Sequence, residues 1–227
     1  DHNVKPVKPQ AVLFDLDGTL VDTIRDIAIC MNRVLRRYGE EERDLDTYRR
    51  SVGSGIRALV ERLIPADRGR DGYIRELAVE MRREYNAHPV MESEAYPEIA
   101  ELLPALWEAG LPTAVLSNKA DEITQQVVNT IFPGHAFRLV RGAVDGVPKK
   151  PDPDSALRLS RELGIPASEW LFVGDTAIDM ETAARAGMRA VGVSWGFRAV
   201  EELEAAGAER IVREGREILS LLPARAH

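Results

Sequence analysis

The chain of 227 residues holds a single cysteine, Cys30, so no internal disulfide can form. Lysine is scarce too, with 5 against 25 arginines, and each interior lysine (Lys119, Lys149, Lys150) therefore asks for a reason. No apolar run approaches the roughly 18 residues of a membrane-spanning helix, and no basic-then-apolar leader opens the chain. Internal repeats and low-complexity segments are lacking. The net charge of −7 is the wrong sign for non-specific nucleic-acid binding. These absences predict a cytoplasmic protein, monomeric or homodimeric, with neither nucleic acid nor membrane as partner.

What is present is ordinary globular composition, 44% hydrophobic and 30% charged, enough for a large core. The charge is unevenly spread. Residues 23–94 hold 14 basic and 14 acidic residues, and the remainder carries 16 against 23. The acidic excess thus lies outside the middle block, where some of it can converge on a metal.

After a polar lead over residues 1–10, Ala11-Val-Leu-Phe-Asp15 reads as a buried strand that breaks at Asp17-Gly18-Thr19. Thr23 with Asp26 three residues on has the spacing of a helix N-cap pair. It opens a helix with Ile24, Ile27, Met31, Val34 and Leu35 on one face and Gly39 at its close. Ile56, Leu59, Val60 and Leu63, then Tyr73, Leu77, Met81 and Tyr85, repeat the helical spacing, and no strand pattern interrupts residues 23–94. From Pro97 the pattern alternates. Strands are predicted over 113–117, 137–140 (weaker), 170–174, 189–193 and 211–212. Helices are predicted from Pro97 to about Gly110, from Asp121, over 154–163 with Gly164 as stop, and through Ala183 to Gly187. Such alternation implies an α/β, Rossmann-like parallel sheet with helices on both faces. The helical block then reads as an inserted α-helical cap, residues 23–94, in a catalytic core of residues 1–22 and 95–227.

Ligands of open parallel sheets bind beyond the carboxyl ends of strands. Asp15 and Asp17, Ser117 and Asn118, and Asp175 with Asp179 stand at those ends, and Lys149-Lys150-Pro-Asp-Pro lies in a nearby connection. Two carboxylates about 4 Å apart repel by roughly 4 kcal/mol at an effective dielectric near 20. Several such pairs call for a shared proton or a cation, and an all-oxygen set without nearby His or Cys favours Mg²⁺. The four histidines, His2, His88, His135 and His227, fall outside these clusters. Ser117, Asn118 and Lys150, with backbone N–H groups around Asp17 and Gly18, suit phosphate oxygens. Lys149 competes with Lys150 for that role. Asp15 is then placed as a nucleophile, with Asp17 as the acid that protonates a leaving alcohol and later deprotonates water.

At this point the chain resembles a known family. Asp15-Leu-Asp17-Gly-Thr-Leu, Ser117-Asn118, Lys150-Pro-Asp-Pro and Gly174-Asp175-Thr-Ala-Ile-Asp179 resemble the four ordered motifs of the haloacid dehalogenase superfamily, in its C1-capped subgroup. The resemblance implies Asp15 as nucleophile and Asp17 as general acid/base. It also implies Mg²⁺ on Asp15, the Asp17 carbonyl and Asp175, with Asp179 in support, and phosphate on Ser117 and Lys150. Dehalogenating members lack the second aspartate, so Asp17 implies phosphoryl chemistry. Ser117-Asn118-Lys119 and Gly192-Val-Ser-Trp195-Gly-Phe197 resemble the phosphoglycolate phosphatase branch. The expected activity is Mg²⁺-dependent hydrolysis of a small phosphorylated metabolite. The alternatives are a phosphomutase and a non-catalytic phosphate-binding or regulatory protein.

The cap is expected to choose the substrate. Gly53-Ser54-Gly55 precedes a helix whose free N–H groups suit an anion, with Arg57 in its first turn, so Ser54, Gly55 and Arg57 form a candidate selecting site. Lys119 reads as a rim or structural residue, Cys30 as core packing, and Trp195 as balanced between packing and lining a cleft.

Overall fold

A computed structural model describes residues 7–68 and 71–223; most of the polar lead, with His2, and His227 lie outside the described residues. Six strands form one parallel sheet: β1 (Ala11–Phe14), β4 (Thr113–Ala120), β5 (Leu139–Ala143), β6 (Trp170–Gly174), β7 (Arg189–Val193) and β8 (Arg210–Val212). Their order is β5-β4-β1-β6-β7-β8, and Val12 sits between Thr113 and Leu171. Val12, Phe14, Val115, Leu171, Val173 and Val191 pack on one face. Leu13, Ala114, Leu116, Trp170 and Phe172 pack on the other. Strands buried on both faces read as continuous apolar runs, so the central ones were visible as such.

Helices α5 (Pro97–Glu108), α6 (Asp121–Ile131) and α10 (Gly215–Ser220) cover the first face, and α7 (Asp154–Leu163), α8 (Ala177–Ala186) and α9 (Val200–Ala205) the second. The helical block comprises α1 (Ile24–Arg37), α2 (Leu45–Ser51), α3 (Ile56–Leu63) and α4 (Asp71–Ala87). A short antiparallel ribbon, β2 (Val21–Asp22) with β3 (Glu94–Ala95), joins its two ends. The block's apolar faces, among them Ile27, Met31, Leu59, Leu77 and Tyr85, are continuous with the first core layer. Among the described residues no helix is long and apolar enough to cross a membrane.

Two expectations need correction, and three short helices are not anticipated by the sequence pattern. The weak strand expected over 137–140 forms over Leu139–Ala143, because residues 137–138 lead into the sheet and Arg138 donates its N–H to Thr113 O. Helices α2, α9 and α10, of six or seven residues, are too short for their apolar spacing to repeat. Thr23 does precede α1, but without a side-chain cap bond. Its hydroxyl donates instead to Asp17 Oδ1 at 2.6 Å. Asp26, fully buried, accepts the N–H groups of Met91, Glu92 and Ser93 at 2.9 Å and the Ser93 hydroxyl at 2.5 Å. Thr23 thus ties the start of the helical block to the loop after β1, and Asp26 ties the block's two ends to each other.

Candidate active site

Parallel strands pointing one way bring their carboxyl ends to a common rim. Asp15 follows β1, Ser117 and Asn118 lie late in β4, and Asp175 follows β6. Asp179 lies in the first turn of α8, while Lys150 comes from the connection between β5 and α7. Oxygens of Asp15, Asp175 and Asp179 approach within 4.8 Å of one another. Lys150 is buried among them, its Nζ 2.8 Å from Asp179 Oδ1, 3.1 Å from Asp15 Oδ1 and 2.9 Å from the Leu116 carbonyl. Lys149 is exposed, and of the two lysines Lys150 is the one buried among the carboxylates.

Asp179 is held from below. Its Oδ2 accepts the N–H groups of Asp175 and Thr176 at 3.1 and 3.3 Å and the Thr176 hydroxyl at 3.2 Å, forming a reciprocal cap with Thr176 on α8. Asp175 accepts the Thr19 hydroxyl at 3.1 Å and the Phe197 N–H at 3.0 Å. Burial, then the neighbouring Asp179, pushes the Asp175 carboxyl up to about 7. Burial, reinforced by Asp179, Asp175 and Asp17 and opposed by Lys150, holds Asp15 well above the usual carboxylate range. Burial pulls the Lys150 ammonium down, but Asp15 and Asp179 outweigh it and raise its pKa.

Three carboxylates and one ammonium sum to a formal charge of −2. A divalent cation would cancel it, and an oxygen-only donor set suits a hard ion. The cluster could therefore hold a metal. The Asp17 carboxylate is not part of it. Asp17 Oδ1 accepts the Thr23 hydroxyl and pairs with Lys119 Nζ at 2.7 Å. Lys119, buried, also donates to the Tyr85 hydroxyl of α4.

Gly18 does not offer its N–H to a phosphate, because that group donates to Val21 O at 2.9 Å. Its role is steric: φ is +79°, and a Cβ there would stand 2.1 Å from Asp175 Oδ2, so only glycine fits. Asn118 braces two loops. Its Oδ1 accepts Lys150 N–H at 2.9 Å, and its Nδ2 donates to Lys150 O at 2.9 Å and Gly53 O at 3.0 Å. Both amide hydrogens are thereby engaged. Ser117 Oγ accepts the Lys119 N–H at 3.1 Å, which leaves its own proton available.

A cleft between the rim and the helical block is lined by Asp15, Asp17, Ser117 and Lys119 below and by Ile27, Val52, Leu59, Met81 and Tyr85 above. Of the candidate selecting residues only Gly55 borders it. Arg57 turns to Glu61 at 2.9 Å and to Asp71, and the Ser54 hydroxyl accepts from Arg62 at 3.0 Å. Trp195 resolves toward packing, tilted against Tyr96 with Nε1 donating to Thr19 O at 3.0 Å, while Phe197 lines the cleft. Cys30 is fully buried, and burial pushes its thiol up to about 12.

The sequence profile of the family described as haloacid dehalogenase-like hydrolase matches residues 12–193. The chain belongs to the haloacid dehalogenase-like hydrolases. This hydrolase is 35% identical over 188 residues to the phosphoglycolate phosphatase of Aquifex aeolicus (strain VF5), covering 83% of this chain and 86% of that one. It is 33% identical over 194 residues to the phosphoglycolate phosphatase of Pseudomonas savastanoi pv. phaseolicola, covering 83% and 71%. A crystal structure from Lactobacillus delbrueckii subsp. bulgaricus, provisionally named a phosphoglycolate phosphatase, superposes with a TM-score of 0.88 at 26% identity, over 96% of this chain and 100% of that one.

Sequence reasoning about the hydrolase missed Lys119, Thr19, Thr23 and Phe197 as neighbours of the aspartates. The scarcity of lysine pointed at Lys119. Thr19 carried no signal, because its partner Asp175 lies across the fold, and Thr23 stood out as a helix cap while its hydroxyl serves Asp17 six positions back.

Proposed function

We propose that the protein is a phosphoric monoester hydrolase acting on a small phosphorylated metabolite, phosphoglycolate first, through an aspartyl-phosphate. The observation that carries this reading is the pairing of Asp15 and Asp17 at one strand end, each with its own lysine. Asp15 attacks phosphorus while the bond from phosphorus to the ester oxygen breaks, and Asp17 gives that oxygen its proton. Water then attacks the aspartyl-phosphate, Asp17 takes a proton from it, and inorganic phosphate leaves with Asp15 restored. Ser117 donates its hydroxyl proton to a phosphate oxygen. The ammonium of Lys150 exchanges its contact with Asp15 for one with the phosphate. An Asn118 contact would come from its main chain, since its amide hydrogens are engaged.

Mg²⁺ would sit on Asp15, the Asp17 carbonyl and Asp175, with Asp179 in support, and would supply charge neutralisation for a dianionic ester. Residues 23–94 act as the cap over a core of residues 1–22 and 95–227, excluding bulk water during transfer. The names of the curated relatives supply the phosphoglycolate assignment. Released phosphate measured with Mg²⁺ and phosphoglycolate tests the reading. Wild type should turn over, and Asp15→Asn should lose about 10⁴-fold or more while melting normally. Equal activity in both would remove Asp15 as nucleophile, and an inert wild type would remove the phosphatase reading itself.

A further inference from the structure

Resting on the phosphatase reading, we infer that Lys119 determines specificity by binding a carboxylate carried on the leaving group. Asp17 protonates the leaving oxygen, so whatever is attached to that oxygen lies on the Asp17 side of the cleft. The cation on that side is Lys119, 2.7 Å from Asp17 Oδ1. It is the one lysine or arginine among the residues lining this cleft, and its side chain is 5% exposed. Lys150, the other buried cation of the rim, is bound to Asp15, Asp179 and the Leu116 carbonyl on the far side.

Much of the remaining wall is apolar, with Ile27, Val52, Ile56, Leu59 and Met81, and its polar members Asn118 and Thr176 already spend their side-chain hydrogens on Gly53, Lys150 and Asp179. Such a wall offers few free partners to the hydroxyls of a sugar, and buried hydroxyls without partners are costly. A short leaving group with one anionic end satisfies both halves of the surface. A carboxylate one methylene from the leaving oxygen lies within reach of an ammonium that already touches Asp17. The Tyr85 hydroxyl, bonded to Lys119, keeps the ammonium aimed into the cleft from the α4 side. Arg57, paired with Glu61 and Asp71, leaves Lys119 without a rival from the first turn of α3.

The test compares phosphoglycolate with 2-hydroxyethyl phosphate, an ester of similar size without the carboxylate, on wild type and Lys119→Met. Wild type should prefer phosphoglycolate by at least about 100-fold in kcat/KM, a floor below the roughly 10⁴-fold reached by sites built to pair a substrate's polar group. Lys119→Met should lower kcat on both esters, because Lys119 pairs with Asp17, and should in addition erase most of the preference, chiefly through KM for phosphoglycolate. Equal losses on both esters would mean that Lys119 acts only through Asp17, and the assignment would fall. A wild type active on both esters without preference would overturn it too. If neither ester is hydrolysed, the phosphatase reading fails first. Should Lys119→Met not fold, inhibition of wild-type p-nitrophenyl phosphate hydrolysis decides: glycolate must inhibit far better than ethylene glycol, and equal inhibition rejects the assignment.

Discussion

Each aspartate of the rim has a different set of partners, and the partner set defines what it can do. Asp179 accepts three hydrogen bonds on one oxygen and Lys150 on the other, so it is a support for its neighbours. Asp179→Asn turns one of those two faces from acceptor to donor, against an N–H or an ammonium. Breaking a buried charge pair costs roughly 3–5 kcal/mol. The low end, about 3 kcal/mol, is expected because Asp15 and Asp175 lose a repulsive neighbour. Urea unfolding reads the change, and a loss below about 1 kcal/mol would contradict the role given to Asp179. At this scale Asp15, Asp17, Ser117 and Asp175 were legible because they stand at strand ends, and Lys150 and Asp179 because they fall in the ordered motifs that follow. Lys119 was singled out by rarity and placed at the rim, but its pairing was not legible, since its partners Asp17 and Tyr85 stand 102 and 34 positions away along the chain. Gly18 was misjudged for the same reason: the group that demands a glycine there, Asp175, comes from another strand.

The elements that periodicity revealed are those long enough to repeat, such as α1 and α4, and those buried on both faces, such as β1 and β6. The β2–β3 ribbon has two residues per strand and leaves no pattern to read. It matters because the helical block and the sheet-bearing part of the chain meet there and at a second junction. In that junction Arg198 donates to the Arg49 and Val52 carbonyls at 2.8 and 2.6 Å and pairs with Glu202 at 3.1 Å. Arg198→Ala removes both donors from the end of α2. The expected outcome is faster amide exchange over residues 49–56, a KM raised several-fold, and a stability loss of about 1–2 kcal/mol. Unchanged exchange in that segment would show that Arg198 does not hold the two units together. The tie between the two ends of the helical block is stiffer, since the buried Asp26 carboxylate takes three consecutive N–H groups. Asp26→Ala strands those donors and should cost about 3 kcal/mol or more in urea unfolding.

For the whole molecule, the carboxylate rim is a store of repulsion. Asp15 lies well above the usual carboxylate range, and Asp175 sits at about 7. Both carboxyls hold protons more tightly folded than unfolded. Stability of the metal-free protein therefore falls as pH rises from the unfolded pKa toward the folded one. A divalent cation competes with those protons. The rise in Tm produced by millimolar Mg²⁺ should then be larger at pH 8 than at pH 6 and should vanish with EDTA. An increment that shrinks with rising pH would argue against carboxylates as the ligands.

The sheet order also has a consequence for how the molecule is made. Val12 of β1 pairs with Thr113 on one side and Leu171 on the other. At a synthesis rate of roughly 5–20 residues per second, the central strand leaves the ribosome seconds before either neighbour exists. The helices between them, built on local contacts, can collapse in far less time. Growth of the chain thus leaves a four-residue apolar strand waiting beside a finished helical bundle, and its two open edges are the nascent molecule's point of greatest exposure to aggregation.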